Sequence, residues 1–191
     1  MVSVKHSIQA AADLLDSWCQ SVEGMDRLDD LASLLAATFQ KGGKVYCMGN
    51  GGSLADASHF AEELSGKFSV ARAPLPAIAF TDASHITCVG NDFGFDEIFA
   101  RLVTAFCSES DIVLLLTTSG NSRNLVKAAE AARSMGATAI ALTGRGGGQL
   151  SKMVDISIDF PGDTSDRIQE LQMLALHAIT AEIERLMGFC S

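Results

Sequence analysis

Apolar and polar positions alternate in blocks along this chain, and the blocks predict strands and helices in turn. From Lys44 onward, short apolar runs of the kind found in buried parallel strands are separated by segments of helical periodicity. The predicted strands cover residues 44–49, 76–81, 111–117, 137–142 and 154–158. The predicted helices cover about 53–66, 84–90, 95–107, 122–135, 147–152 and 165–187. This order predicts an α/β fold with a doubly wound five-stranded parallel sheet flanked by helices.

Two extra N-terminal helices precede the sheet. Apolar residues recur at helical spacing from residue 3 to about 20, and again between Gly24 and Gly42. Because this pair lies outside the alternation, its apolar stripes must be buried on the domain or against another subunit, and we favour an oligomer. We therefore expect one domain over 1–191, with 1–42 as a helical pair for oligomer packing and 43–191 as the α/β core.

Composition narrows the class of protein. The 191 residues include 14 basic and 23 acidic side chains, so the net charge is −9, and no basic patch suited to nucleic acid is visible. No apolar run approaches the length of a membrane span, and the N-terminus lacks a signal-peptide core. Five cysteines without CxxC spacing predict reduced thiols. We expect a cytoplasmic protein without nucleic-acid or membrane partners.

The stretch KVYCMGNGGSLADASHFAEE, which begins at Lys44, predicts an anion site. An apolar strand breaks into the turn Gly49-Asn50-Gly51-Gly52, and Ser53 is predicted as the N-cap of the next helix. Backbone N–H groups and the positive end of the helix dipole would converge there on a phosphate or sugar oxygen. A tight connection without a ligand is the alternative for such a turn.

His59 and Glu63 follow on the same predicted helix. Their spacing of four residues places them on one face, where they can act on one centre as an acid/base or metal pair. A solvated hydrogen bond between them is the alternative. The closeness of this pair to the glycine turn favours a phosphosugar site.

A second polar loop follows the third strand. Thr117, Thr118, Ser119 and Ser122 lie in the segment TTSGNS, which leads directly into a helix and suits a phosphate monoester. An elaborate N-cap is the alternative. The glycine-rich segment 143–148 after the fourth strand is interpreted as structural turns.

Other candidates are less clear from spacing alone. Asn91 and Asp92 lie between two predicted helices, where an Asx turn and a substrate contact are both open. Gln169 and His177 are eight residues apart on the last helix, about 12 Å of helical rise. They can reach one centre only if Gln169 lies in a loosened first turn or comes from another subunit.

Several of these segments together resemble a known family. GNGGSLADASHFAEELSGKF, PAIAFTDASHITCVGNDFGFDEIF, TTSGNSRNLVKAAEAAR, ALTGRGGG and DRIQE with His177 resemble the sugar isomerase (SIS) domain family, and within it the phosphoheptose isomerases, nearly end to end. The resemblance implies a cytoplasmic homotetramer with active sites near subunit interfaces. It also implies interconversion of sedoheptulose 7-phosphate and D-glycero-D-manno-heptose 7-phosphate, which feeds bacterial heptose synthesis for lipopolysaccharide or related glycans.

The resemblance also implies roles for individual residues. Glu63 would be the catalytic base and His177 the catalytic acid. A zinc site, present in many members, would match His59, Glu63, Gln169 and His177. Substrate contacts would match Asn50, Gly51, Gly52, Ser53, Glu63, Asn91, Asp92, Thr117, Thr118, Ser119, Ser122 and Gln169. The departures from the family pattern, Leu54-Ala55 and the stretch before Arg167, concern sugar recognition more than chemistry.

The implied chemistry agrees with the residues. Moving a carbonyl between C2 and C1 requires a base that forms an enediol and an acid that moves protons between the oxygens, and a carboxylate and an imidazole suffice. Two other classes remain open: a non-catalytic scaffold of this fold that binds the replication initiator protein, and a sugar-phosphate sensor. The presence of His59, Glu63 and His177 favours an enzyme.

Overall fold

A computed structural model describes residues 3–20 and 22–190. Five strands form one sheet in the order β2-β1-β3-β4-β5, and every neighbouring pair is parallel. The strands are β1 Val45–Met48, β2 Ala77–Ala79, β3 Ile112–Leu116, β4 Thr138–Gly144 and β5 Ile156–Phe160. The predicted fold class is confirmed. From β1 the chain adds β2 on one side of the sheet and then crosses to add β3 on the other, so the switch point lies between β1 and β3, where open α/β sheets bind ligands.

Helices cover both faces of the sheet. They are α1 Val4–Cys19, α2 Val22–Gln40, α3 Gly52–Ser65, α4 Ala83–Asp92, α5 Ala100–Phe106, α6 Arg123–Ser134 and α7 Ser165–Leu186, with short 3-10 turns at Phe95–Glu97 and Leu150–Lys152. Alternate residues of each central strand enter opposite cores, as the two-residue period of a strand requires. Cys47 packs in the core formed with α2, α3 and α7, whereas Met48 packs in the core formed with α4, α5 and α6.

Two helix predictions were wrong, and glycine conformations explain the first of them. The predicted helix 147–152 is only the 3-10 turn Leu150–Lys152, because Gly146, Gly147 and Gly148 have φ values of 80°, 75° and 55°. The predicted helix 95–107 is divided into the 3-10 turn Phe95–Glu97 and helix α5, and no glycine lies at the break between them. Segment 143–148 was interpreted as turns throughout, but its first two residues belong to β4.

The two N-terminal helices differ in how they pack. Helix α2 buries Leu31 and Leu35 almost completely in the core next to α7, so its apolar stripe is covered within the chain. Helix α1 buries Trp18 against Phe160, with ring centroids 5.3 Å apart, but leaves Val4 77% and Ile8 66% exposed. Of the helices in the described part of the chain, none combines the length and apolar character that a membrane crossing needs.

Candidate active site

The loops after β1 and β3 lie side by side, and two asparagines join them. Asn50 Nδ2 donates to Asn124 Oδ1 at 3.0 Å, and Asn124 Nδ2 donates back to Asn50 Oδ1 at 2.8 Å. Asn124, in the first turn of α6, is buried. This reciprocal pair fixes the glycine turn relative to the helix that follows the second loop.

A polar cavity of about 210 Å³ opens between these loops and the start of α7. Nine residues line it: Asn50, Ser53, Leu116, Thr117, Thr118, Ser119, Ser122, Ser165 and Gln169. Seven of the twelve predicted substrate-binding residues therefore converge on one space. Hydroxyl and amide groups beside a helix N-terminus suit a phosphate monoester.

The loop after β3 is closely folded on itself. Thr117 Oγ1 accepts hydrogen bonds from the N–H groups of Ser119 and Gly120, at 3.3 and 3.2 Å. Gly120 has φ 64°, and a Cβ there would lie 1.8 Å from the carbonyl oxygen of Gly147, so only glycine fits. Ser122 occupies the N-cap position of α6 without making a side-chain capping bond. Its hydroxyl is thus free for the cavity, which favours the ligand interpretation over capping.

The glycine turn after β1 differs from the prediction at Ser53. Helix α3 begins at Gly52, and its N-cap is Gly51 with φ 55°, so the prediction of Ser53 as N-cap is wrong. The buried Ser53 instead accepts a hydrogen bond from Gln169 Nε2 at 3.2 Å. Gly52 packs closely against the same amide, since a Cβ at this position would lie only 2.7 Å from Gln169 Oε1. The turn therefore packs against α7 as well as bordering the cavity.

Farther along the same two helices, a carboxylate meets two imidazoles. Glu63 Oε1 on α3 lies 3.2 Å from His59 Nε2 and 3.3 Å from His177 Nε2 on α7. The Glu63 side chain is 8% exposed, whereas those of His59 and His177 are 48% and 40% exposed. The group is thus buried on the carboxylate side and open to solvent on the imidazole side.

The surroundings of Glu63 perturb its acidity. Burial raises the pKa of its carboxyl above the ordinary value, although the charges of His177 and His59 oppose that shift. Its Oε2 atom is buried and has no hydrogen-bond partner among the described residues. A carboxylate with a raised pKa and an uncommitted oxygen has the properties of a general base.

The same three residues could hold a metal ion. One ligand atom from each of His59, Glu63 and His177 lies within 4.8 Å of the other two. Two imidazole nitrogens and a carboxylate oxygen form a donor set that zinc accepts, and the unpartnered Glu63 Oε2 adds a further oxygen. Gln169, the fourth predicted ligand, does not join them within this chain, because its side chain binds Ser53 and lies eight residues before His177, about 12 Å of rise.

The cavity and the Glu63 group therefore occupy two ends of one helix pair. Helices α3 and α7 run in the same direction, since Ser53 meets Gln169 at one end and Glu63 meets His177 farther along. Ten residues of α3 separate Ser53 from Glu63, about 15 Å of rise. A ligand in the cavity reaches the Glu63 group of its own chain only if it is extended.

Asn91 and Asp92 lie apart from both ends. They occupy the last turn of α4, not the turn between helices that was predicted, and both are exposed. Asn91 Nδ2 donates to Asp92 Oδ1 at 2.7 Å. Neither residue lines the cavity or joins the Glu63 group in the described chain.

Besides Asn124, the residues Ser165, Arg145 and Phe68 at the site were not predicted. Ser165 lines the cavity, contacts Thr118 Oγ1 at 3.0 Å and accepts a hydrogen bond from Arg145 Nη2 at 3.1 Å. Arg145 has φ 54°, the one positive φ of a non-glycine residue among those described, and no sequence signal marks it. The Phe68 ring stacks on His177 with centroids 6.0 Å apart.

Asp56 was also missed, although its spacing offered a signal. It precedes His59 by three residues and Glu63 by seven, so the three share a helix face. Its Oδ2 is buried without a partner among the described residues, and burial raises its carboxyl pKa while His59 opposes the shift.

A parallel sheet with a polar cavity of about 210 Å³ at its switch point, and with a carboxylate–imidazole group about 15 Å away along α3, defines a sugar-phosphate-binding α/β domain. Comparison with known proteins agrees. The SIS domain family matches residues 6–144. A phosphoheptose isomerase from Escherichia fergusonii is 45% identical over 186 residues, covering 97% of each chain. One from Fusobacterium nucleatum subsp. nucleatum is 44% identical over 181 residues, covering 95% of this chain and 93% of the relative.

Solved structures give the same result. The structure of a phosphoheptose isomerase from Francisella tularensis superposes with a TM-score of 0.89 at 36% identity, covering 95% of this chain and 96% of that one. The chain therefore belongs to the SIS domain family and, within it, to the phosphoheptose isomerases.

Proposed function

We propose that this protein is an aldose-ketose isomerase that converts sedoheptulose 7-phosphate to D-glycero-D-manno-heptose 7-phosphate through an enediol. Relatives at 44–45% identity over nearly the whole chain carry the name phosphoheptose isomerase. The observation that carries the chemistry is the buried Glu63 carboxylate, which contacts two imidazoles and has a raised pKa. Mixing the protein with sedoheptulose 7-phosphate and assaying for the aldose tests this function directly.

We assign the proton transfers as follows. The Glu63 carboxylate removes a proton from C1 of the ketose, and His177 protonates O2, which gives the 1,2-enediol. The neutral His177 then takes the proton from O1 while Glu63 returns its proton to C2, so the aldehyde forms at C1 and both side chains regain their starting protonation states. The distance of 3.3 Å between the two side chains supports this division of labour, because both can reach adjacent atoms of one substrate.

In this proposal the substrate phosphate occupies the cavity at the start of α3, α6 and α7. Support comes from its polar lining and from the Ser122 hydroxyl, which is not used for capping. Arg145, which donates to the lining residue Ser165, is a cation near the rim of a cavity in a protein of net charge −9. These contacts would hold the phosphate while the far end of the sugar reacts.

We further propose that His59, Glu63 and His177 bind zinc. When bound there, zinc would supply polarisation of the substrate carbonyl. Gln169 would act as a fourth ligand only if it came from another subunit, because about 12 Å of helix separates it from His177 in its own chain. Within its own chain, Gln169 is assigned to the phosphate end of the site.

We propose a homotetramer in which a cavity and a Glu63 group from different subunits form one active site. The distance between the two within a chain supports this arrangement, as does the exposed apolar face of α1 at Val4 and Ile8. Asn91 and Asp92, remote from both within the chain, would contact substrate across such an interface. Helix α2 is assigned to the core of its own subunit.

The cellular assignment follows from the proposed reaction. We propose a cytoplasmic enzyme that supplies heptose for lipopolysaccharide or related glycans. The alternative of a non-catalytic scaffold that binds the replication initiator protein is not supported by any contact described above. His59, Glu63 and His177 are all present, and Glu63 contacts both histidines, which favours a catalytic group.

A further inference from the structure

A buried arginine sits at the end of the helix that carries Glu63. Arg72 lies in the irregular segment between α3 and β2, and its side chain is 1% exposed. Its Nη2 donates to the carbonyl oxygen of Glu63 and its Nη1 to that of Leu64, each at 2.8 Å. Both carbonyls belong to the last turn of α3, where no further helical N–H can reach them. The Leu64 carbonyl also accepts a hydrogen bond from the N–H of Leu75, at 3.0 Å, so the Glu63 carbonyl is the one that depends more on Arg72.

The same guanidinium reaches the helix that carries His177. Arg72 Nε donates to Glu184 Oε1 at 2.9 Å, and the Glu184 side chain is fully buried. Glu184 follows His177 by seven residues, two turns along α7, so both lie on one helix face. One side chain thus contacts the backbone of the proposed base and the helix of the proposed acid.

The remaining oxygen of Glu184 orders the segment that covers His177. Glu184 Oε2 accepts hydrogen bonds from the N–H of Ser69, at 3.3 Å, and from its hydroxyl. The neighbouring Phe68 is the residue whose ring stacks on the His177 imidazole. Burial acts to raise the Glu184 pKa, but the bonds from Ser69 and Arg72 outweigh it, so the net pKa lies below its ordinary value and the carboxylate stays ionised.

We propose that Arg72 and Glu184 are positioning residues for catalysis, which together hold Glu63, His177 and Phe68 in register. This inference rests on the proposed function for its kinetic consequence. A buried ion pair is replaceable by apolar residues with little loss of stability, so stability alone does not require it. Its hydrogen bond to the Glu63 carbonyl, in contrast, has no apolar substitute, whereas the Leu64 carbonyl keeps its bond from the Leu75 N–H.

The test compares the double variant R72M/E184M with a matched control on α7. The control is R185M/E182M, which removes an adjacent but solvent-exposed ion pair. For R72M/E184M we expect a cooperative melting transition, an unchanged inhibition constant for inorganic phosphate, and a kcat lowered by roughly 10- to 100-fold, the loss that follows a misplaced catalytic group. The control should match wild type in all three.

A readout independent of turnover accompanies the kinetics. The His177 ring C–H resonance in carbon-proton NMR senses the stacked Phe68 ring, so it should move in R72M/E184M and stay in place in the control. If R72M/E184M does not fold, R72K serves instead, because a lysine keeps the charge but offers its donors from a single nitrogen, without the planar fork by which Arg72 spans both carbonyls and Glu184.

Wild-type kcat together with an unmoved His177 resonance in a folded R72M/E184M or R72K would overturn the positioning role. Absence of isomerase activity in wild type would instead contradict the proposed function. The NMR comparison would still test whether Arg72 and Glu184 position Phe68 against His177.

Discussion

Glu63 Oε1 and His177 Nε2 lie 3.3 Å apart although the two residues are on different helices, one that follows β1 and one that follows β5. The contact forms because α3 and α7 pack side by side in the same direction. It brings together the two side-chain types that carbonyl migration needs, one that accepts a proton from carbon and one that exchanges protons with oxygen.

Binding of phosphate should depend on the hydroxyls of the cavity. We expect Ser119→Ala to weaken binding of sedoheptulose 7-phosphate and of inorganic phosphate alike. The loss of binding free energy should be that of one or two charge-assisted hydrogen bonds, about 1.5–3 kcal/mol each. Isothermal titration with both ligands measures the loss. Ser134→Ala, an exposed serine at the other end of α6, is the matched control and should bind as wild type does. Equal affinities in S119A and wild type would contradict phosphate binding by this loop and would favour its interpretation as an N-cap of α6.

Removing the Glu63 charge should stabilise the fold at neutral pH and above. Because burial holds the pKa of Glu63 above its ordinary value, the ionised carboxylate destabilises the native state, and this penalty disappears as the pH falls through the raised pKa. In the presence of a chelator, we expect Glu63→Gln to have a higher Tm than wild type at about pH 8, with the difference vanishing towards the ordinary glutamate pKa of about 4.3.

The control for that comparison is Glu62→Gln, an exposed neighbour on the same helix, which should show no such pH-dependent gain. A lower Tm for Glu63→Gln than for wild type at the higher pH would mean that the histidine partners outweigh burial, contrary to the direction assigned here.

Mixing inactive variants should reveal whether sites are shared between subunits. We expect Glu63→Gln to complement the pocket variant S119A/S122A when the two are refolded together, because a mixed oligomer can pair an intact cavity from one chain with an intact Glu63 group from another. Turnover of the mixture is the measurement. Glu63→Gln mixed with His177→Gln is the control, since both damage the same group. No recovery in the first mixture would place the whole active site within one chain.

Replacing His59 should lower the zinc content of the protein more directly than it lowers the activity. We expect His59→Asn to lower the zinc retained after dialysis, as measured by elemental analysis, because it removes one of three clustered donors. Its kcat should fall only as far as the metal contributes. His6→Asn, an exposed histidine on α1, should retain wild-type zinc. Equal zinc in the two variants would exclude His59 as a ligand.

Periodicity was sufficient to predict the fold, because buried parallel strands such as β3 are continuous apolar runs whose type depends little on context. It also predicted that His59 and Glu63 meet, since helical spacing alone requires it. The carboxyl-end rule likewise identified the two loops that line the cavity, since both follow central strands.

Features that depend on tertiary packing escaped sequence reasoning. Serine is a residue type that favours the N-cap position, but the Ser53 hydroxyl accepts a hydrogen bond from Gln169 on another helix. Gly51, which has a positive φ, is the N-cap instead. The positive φ of Arg145 and the approach of Ser165 to Thr118 likewise arise from how distant segments pack. Arg72 gave no signal, because its partners lie in two helices far apart in sequence.

The central claim is that Glu63 takes a carbon-bound proton, and solvent exchange tests it most directly. In deuterium oxide, wild type should incorporate label at C1 or C2 of the heptose phosphate, because the enediol exchanges its proton through the base. Glu63→Gln should remain folded, bind inorganic phosphate as wild type does, and lose both turnover and exchange by at least about 100-fold. Exchange by Glu63→Gln at the wild-type rate would contradict the account and leave Glu63 as a metal ligand or a structural residue.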